Sequence, residues 1–159
     1  KSSQVATSNG AEMSHDSWNG SYTKTTRVAA SRAYAEAGVV DAREELDLIE
    51  VHDCFSITEL VTMEDLYISP EAGAIKDIMD GFYDADGDVP CQIDGGLKCF
   101  GHPIGASGLR MIYEMYLQMQ GRAGGRQREE DPSIGMTHNL GGFPHQNVCS
   151  ITIVGREGA

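Results

Sequence analysis

Long apolar runs are missing: in 159 residues no stretch of strictly apolar side chains exceeds three. That excludes a transmembrane helix, which needs about 20 such residues, and the apolar centre of a secretory signal. Positive charge is scarce, with 12 Lys and Arg against 24 Asp and Glu and a net charge of −12. Such a chain repels nucleic acid and anionic membranes, so neither is expected as a partner. Cysteine is sparse too: Cys54, Cys91, Cys99 and Cys149, with no CxxC pair. That spacing offers neither a disulfide framework nor the close ligand pairs of a zinc site, so no metal is expected. Single thiols with separate roles fit a reducing, cytoplasmic compartment. An initiator Met is also lacking, and the expectation is that the length describes part of a longer polypeptide.

Composition is otherwise that of a globular chain, 40% hydrophobic and 23% charged. Residues 1–22, rich in Ser, Asn, Gly and Thr, read as a loop or interdomain segment, and residues 23–159 as one domain. Val28, Ala29, Ala33 and Ala37 keep a helical repeat that stops at Gly38. Residues 46–51 read as a short strand and residues 57–67 as a second helix. Residues 70–96 are turn-rich and read as an excursion without regular structure. A third helix is expected over residues 106–120. Its Leu109, Ile112, Tyr113, Tyr116 and Met119 form a stripe widened by Met111 and Met115, as in a helix buried between layers. A Gly/Arg-rich loop over residues 121–131 reads as solvated, and strands are expected over 134–139 and 148–154. In the last, Cys149, Ile151 and Ile153 share one face. This order predicts a layered α/β domain, a mixed sheet with a buried helix packed against it.

Three places gather reactive side chains where the backbone turns. His52-Asp53-Cys54-Phe55 follows a strand, where α/β sheets place ligands. An imidazole and a thiol two residues apart can both move protons; the plain alternative is a buried Cys acting as a small hydrophobe. Gly101-His102-Pro103-Ile104-Gly105-Ala106-Ser107-Gly108 precedes the third helix, whose free N–H groups suit an anion. It is neither a Walker loop nor GxGxxG, and it also reads as a simple helix-start loop. His138-Asn139-Leu140-Gly141-Gly142 reads as a second edge of the same pocket or as a turn between strands. Asp84-Ala85-Asp86-Gly87-Asp88 has its glycine fourth rather than sixth and no Glu at twelve, so it is an acidic turn and not a calcium loop. His15 and His145 have no supporting context.

Taken together, Leu48 to Ser56, Gly95-Gly96-Leu97-Lys98, the GHPIGASG stretch and HNLGG resemble, in order, the C-terminal half of thiolases, in their sterol-carrier-protein type. The resemblance implies Claisen chemistry on acyl-CoA: condensation, or thiolytic cleavage of 3-ketoacyl-CoA. Coenzyme A thioester would be substrate, with no separate cofactor. It implies that His102 takes the proton of a nucleophilic Cys and helps form an oxyanion hole. His52 would face the same oxyanion, and Cys54 would be the second acid/base. It further implies substrate contacts from Gly101, Gly105, His138, Asn139 and Gly141. The nucleophile lies in the family's N-terminal half and nothing here matches its surroundings, so that half is the expected partner. A homo-oligomer of the complete enzyme and a small OB-fold zinc-ribbon subunit are further partners found in the family. Thiolase-fold retro-aldolases, which tend to lose the His/Cys set kept here, are the alternative within the fold. A non-catalytic assembly subunit is the alternative outside enzymology. Gly141 to His145 is bulkier than the family's glycine stretch.

Overall fold

In a computed structural model describing residues 1–8, 20–143 and 146–156, four strands form one mixed sheet in the order β1-β4-β3-β2. The strands are β1 Ser2–Thr7, β2 Leu48–Glu50, β3 Ile134–Phe143 and β4 Gln146–Gly155. β3 and β4 make a long antiparallel hairpin, β1 adds antiparallel to β4, and β2 adds parallel to β3. The helices are α1 Lys24–Ala37, α2 Ala42–Glu45, α3 Ser56–Asp65, α4 Ala74–Met79, α5 Gly96–Phe100 and α6 Ser107–Met119. The expected mixed α/β architecture is present.

Strand alternation divides the core between two sheet faces. Met136, Cys149, Ile151 and Ile153 point to one face, where α1 lays Ala29, Ala30 and Ala33 against them. Those alanines let helix and sheet approach closely. Gly38 closes α1 at φ 79°, its N–H donating to the Tyr34 carbonyl at 2.9 Å. On the opposite face Leu48 and Val154 meet Met115 and Met119 of α6.

Three expectations are corrected. Residues 2–7 form the edge strand β1 and not a loop: paired along β4, they bury Ser2 and Ala6 and leave Ser3, Val5 and Thr7 exposed, so burial alternates where polarity does not. Within the turn-rich excursion, residues 74–79 are helical, with Ala74 and Asp77 buried. The wide apolar surface of α6 is only half covered. Met111, Met115 and Met119, four apart, are buried with Ser107, Glu114 and Gln118. Leu109, Tyr113 and Tyr116 are 69, 59 and 46% exposed. The expected stripe therefore splits into a sheet-facing row and an outward row. The Gly/Arg loop is mostly exposed, as expected, and is tied to α6. Arg126 pairs with buried Glu114 at 2.9 Å, and Gln118 donates to the Arg126 carbonyl at 2.8 Å. His15 and His145 lie outside the described residues. No helix among the described residues is long and apolar enough to cross a membrane.

Met115→Ala empties a fully buried site between α6 and the sheet. The expected loss is about 2–5 kcal/mol of unfolding free energy, measured by urea denaturation.

Candidate functional site

β2 and β3 run parallel with Glu50 opposite Thr137. Two residues further, His52 leaves the sheet opposite the His138–Asn139 step. Because successive strand residues face opposite ways, those two treat His52 differently. Asn139 turns to the α6 side, and its Oδ1 lies 3.0 Å from His52 Nδ1. His138 turns to the α1 side and is fully buried. There its Nε2 lies 3.1 Å from Thr26 Oγ1, and its Nδ1 accepts from the His52 backbone N–H at 3.5 Å.

His102 comes to the same place from the loop between α5 and α6. Its ring meets the His52 ring edge to face, centroids 5.0 Å apart at 78°. Its Nδ1 is 2.7 Å from Ser107 Oγ, and that hydroxyl donates its one proton to the Pro103 carbonyl at 3.1 Å. Ser107 must then accept from His102 Nδ1–H, which leaves Nε2 of the neutral ring with its lone pair toward the cavity. The same reasoning fixes His52, whose Nδ1–H serves the Asn139 carbonyl oxygen. Burial holds the His52 pKa below its ordinary value, and the neighbouring His102 adds to this against the Asn139 hydrogen bond.

A cavity of ≈ 680 Å³ opens over these rings. His52, Cys54, His102, Asn139 and Gly141 line it, together with an apolar rim that includes Phe55, Ile57, Ile104 and Phe143. Cys54 is half-buried, with Sγ 3.9 Å from Thr58 Oγ1. Gly101, Gly105 and His138 do not line the cavity. Gly101 instead supplies a backbone turn at φ 108°, before His102. The amides of Ala106 and Ser107 both turn onto the Pro103 carbonyl, at 2.7 and 3.0 Å, so the loop itself uses donors expected to face a ligand. Cys149 is buried and Cys91 partly buried, burial pushes both thiols up, Cys149 to about 12, and Cys99 lies outside the cavity. Among the described residues no group of three or more His, Cys, Asp or Glu side chains is placed to hold a metal ion.

Sequence reasoning passed over several residues that build this site. Asp53, beside His52, accepts the Leu97 N–H at 2.8 Å and so anchors α5. Its carboxylate lies 2.4 Å from where a Cβ on Gly96 would stand, and Gly96 has φ +63°, which is why that motif needs glycine. Ser107 stood inside the quoted motif, but its part in orienting His102 depends on a turn that spacing alone does not reveal. Gly20 and Tyr22, at the end of the segment read as a loop, bring a third wall together with Thr23.

A mixed sheet carrying this pair of histidines beside a cysteine-lined cavity defines a thiolase-type half. A family model described as thiolase C-terminal domain-like matches residues 6–154, and the chain belongs to that family. It is 46% identical over 98 residues to an acetyl-CoA acetyltransferase of Methanothermobacter thermautotrophicus, covering 62% of this chain and 25% of that protein. It is 40% identical over 118 residues to sterol carrier protein 2 of Oryctolagus cuniculus, covering 73% and 21%. The benzoylsuccinyl-CoA thiolase subunit BbsB of Thauera aromatica is 36% identical over 117 residues, 74% of this chain and 30% of that one. The chain thus matches less than a third of each of these relatives. A solved structure titled Ltp2-ChsH2(DUF35) aldolase shares the fold, with a TM-score of 0.73 at 18% identity, over 96% of this chain and 38% of that one.

Burial and the neighbouring His52 push His138 down from 6.5 to about 3. The unfolded chain therefore holds a proton there that the folded chain does not, and stability falls as pH drops from about 6.5 toward 3. His138→Gln should make that acid limb shallower by about 1.4 kcal/mol per pH unit, read from urea unfolding at stepped pH.

Proposed function

We propose that this chain supplies the acid/base and oxyanion-facing wall of a thiolase-type acyl-CoA acyltransferase, which makes or thiolytically cleaves 3-ketoacyl-CoA. The observation that carries the reading is the His52–His102 edge contact beside Cys54 in one cavity, each ring anchored through Nδ1. Membership of the thiolase family supports it.

The chemistry follows from those atoms. A thiol must lose its proton to become a nucleophile, and the lone pair on His102 Nε2 is poised to take it. The nucleophilic cysteine is assigned to an N-terminal half, since Cys91, Cys99 and Cys149 all lie off the cavity. An α-carbon of a thioester is a weak acid, so its enolate needs donors at the oxygen. His102 becomes such a donor once protonated. His52 already commits Nδ1–H to Asn139, so it donates from Nε2 only while the ring is protonated. Cys54 then gives or takes the proton at the α-carbon. Asn139 and Gly141 contact substrate from the β3 edge, while Gly101 and Gly105 shape the His102 loop. The partner is the nucleophile-bearing half, packed on the outward row of α6, within a homo-oligomer that a small OB-fold zinc-ribbon subunit can join. Four free cysteines fit a cytoplasmic setting.

A second reading within the fold is retro-aldol cleavage, favoured by the aldolase title of the structural neighbour. Assay of 3-ketoacyl-CoA against 3-hydroxyacyl-CoA cleavage separates the two.

His102→Ala in the complete protein should lower thiolysis or condensation about 10²–10³-fold, measured as kcat with acetoacetyl-CoA and longer 3-ketoacyl-CoA. Near wild-type turnover would remove His102 from the chemistry.

A further inference from the structure

Arg110, three residues after Ser107 on α6, reaches under the site and contacts three of the segments that build it. Its Nη2 is 3.1 Å from Oε2 of Glu50, fully buried two residues before His52. Its Nη1 forms an ion pair with Asp94, and the other Asp94 oxygen accepts the Gly96 N–H at 2.9 Å where α5 begins. Its guanidinium carbon stands 5.3 Å over the ring of Phe100, the last residue of α5 and two before His102. Only 10% of the Arg110 side chain is exposed.

His102 needs such support. Residues 101–103 have no regular structure, and the ring has two tethers, Ser107 Oγ and the edge of His52. Where it sits is set by its flanks, Phe100 on one side and α6 on the other, and Arg110 joins them. As a device for stability the cluster is poor. Among the described residues Glu50 Oε1 and Arg110 Nε are buried without hydrogen-bond partners, and buried ion clusters are often no better than apolar packing. As a device for geometry it is well suited. A planar fork can hold two carboxylates and lie on a ring at once, which a lysine ammonium cannot.

We propose that Arg110 is a positioning residue for the His52–His102 pair, acting through Glu50, Asp94 and Phe100 without touching substrate. The proposal rests on the acyltransferase reading for its kinetic consequences, but not for its structural ones.

The test uses the complete protein with Arg110→Lys, Asp94→Asn and Phe100→Leu. Met115→Ala is a control that weakens the same helix from its sheet side. Arg110→Lys and Asp94→Asn should lower kcat about 10²-fold, the scale of a misplacement near 1 Å. KM should stay within about threefold, since substrate contacts are untouched. Phe100 is exposed, so Phe100→Leu folds regardless and should show the same change in smaller measure. Met115→Ala should lower Tm while leaving kcat near wild type. In protein labelled with 15N-histidine, the ring signals of His52 and His102 should move in the first three variants and those of His138 should not. If kcat tracks Tm alike in all four, or the His52 and His102 rings keep their signals, Arg110 is merely structural and the proposal falls. A wild-type protein without thiolase or condensing activity would overturn the acyltransferase reading instead. The ring signals then decide the positioning role by themselves.

Discussion

Three parallel residue pairs, Leu48 with Gly135, Ile49 with Met136 and Glu50 with Thr137, set where the site can form. A parallel ladder of that length fixes the direction of the chain that leaves it. His52 leaves beside the one stretch of β3 that offers a hydrogen-bonding side chain on each face. The backbone of His52 is taken by His138 and its ring by Asn139. One-residue slippage of β2 would exchange those partners and turn the ring into the α1 layer. Leu48 and Ile49 oppose that slip, because each is buried on its own sheet face and neither face accepts the other's neighbours.

The second anchor is the Asp53 carboxylate. It joins the segment after β2 to the start of α5 through the Leu97 amide, and so brings two regions more than 40 residues apart into register. Helix α5 is only five residues long and ends at Gly101. A helix so short draws little stability from its own hydrogen bonds. Its placement comes instead from Asp53 at its start, Arg110 along its flank, and the Gly96 backbone that lets the carboxylate approach.

Elements with a strong local signature were legible in the sequence. The stop at Gly38, the alternation of Cys149, Ile151 and Ile153, and the segments around His52 and His102 sit where periodicity and turn chemistry placed them, whereas His138 to Gly142 lies within β3 and is neither a turn nor past the strand's end. What was not legible depends on long-range geometry. A strand rich in Ser and Gln, such as residues 2–7, is recognisable only by the neighbour it pairs with, here β4. The α6 stripe was correctly apolar, but periodicity cannot say which of two apolar rows meets the sheet. The methionines do, since flexible side chains fill the space above Gly135, while Leu109 and Tyr113 face away. Alternation along β3 did carry one unread signal. If Asn139 lines a pocket on one face, His138 next to it belongs to the other.

Among the described residues, no Asp, Glu, Lys or Arg lines the cavity, although the chain carries 36 of them. The nearby ionisable groups, Asp53, Glu50, Asp94 and Arg110, lie beneath the site and are engaged with backbone or with one another, and burial raises the Glu50 pKa to about 8. The imidazoles of His52 and His102 and the thiol of Cys54 are the side chains on this wall that suit the proposed proton transfers. The carboxylate whose charge reaches His52, that of Asp53, is taken up by the Leu97 N–H. Burial already keeps His52 toward its neutral form, and the Asn139 and Ser107 oxygens orient the rings without fixing a charge on them. The −12 net charge of the chain thus says little about the site, whose lining is uncharged apart from its two imidazoles.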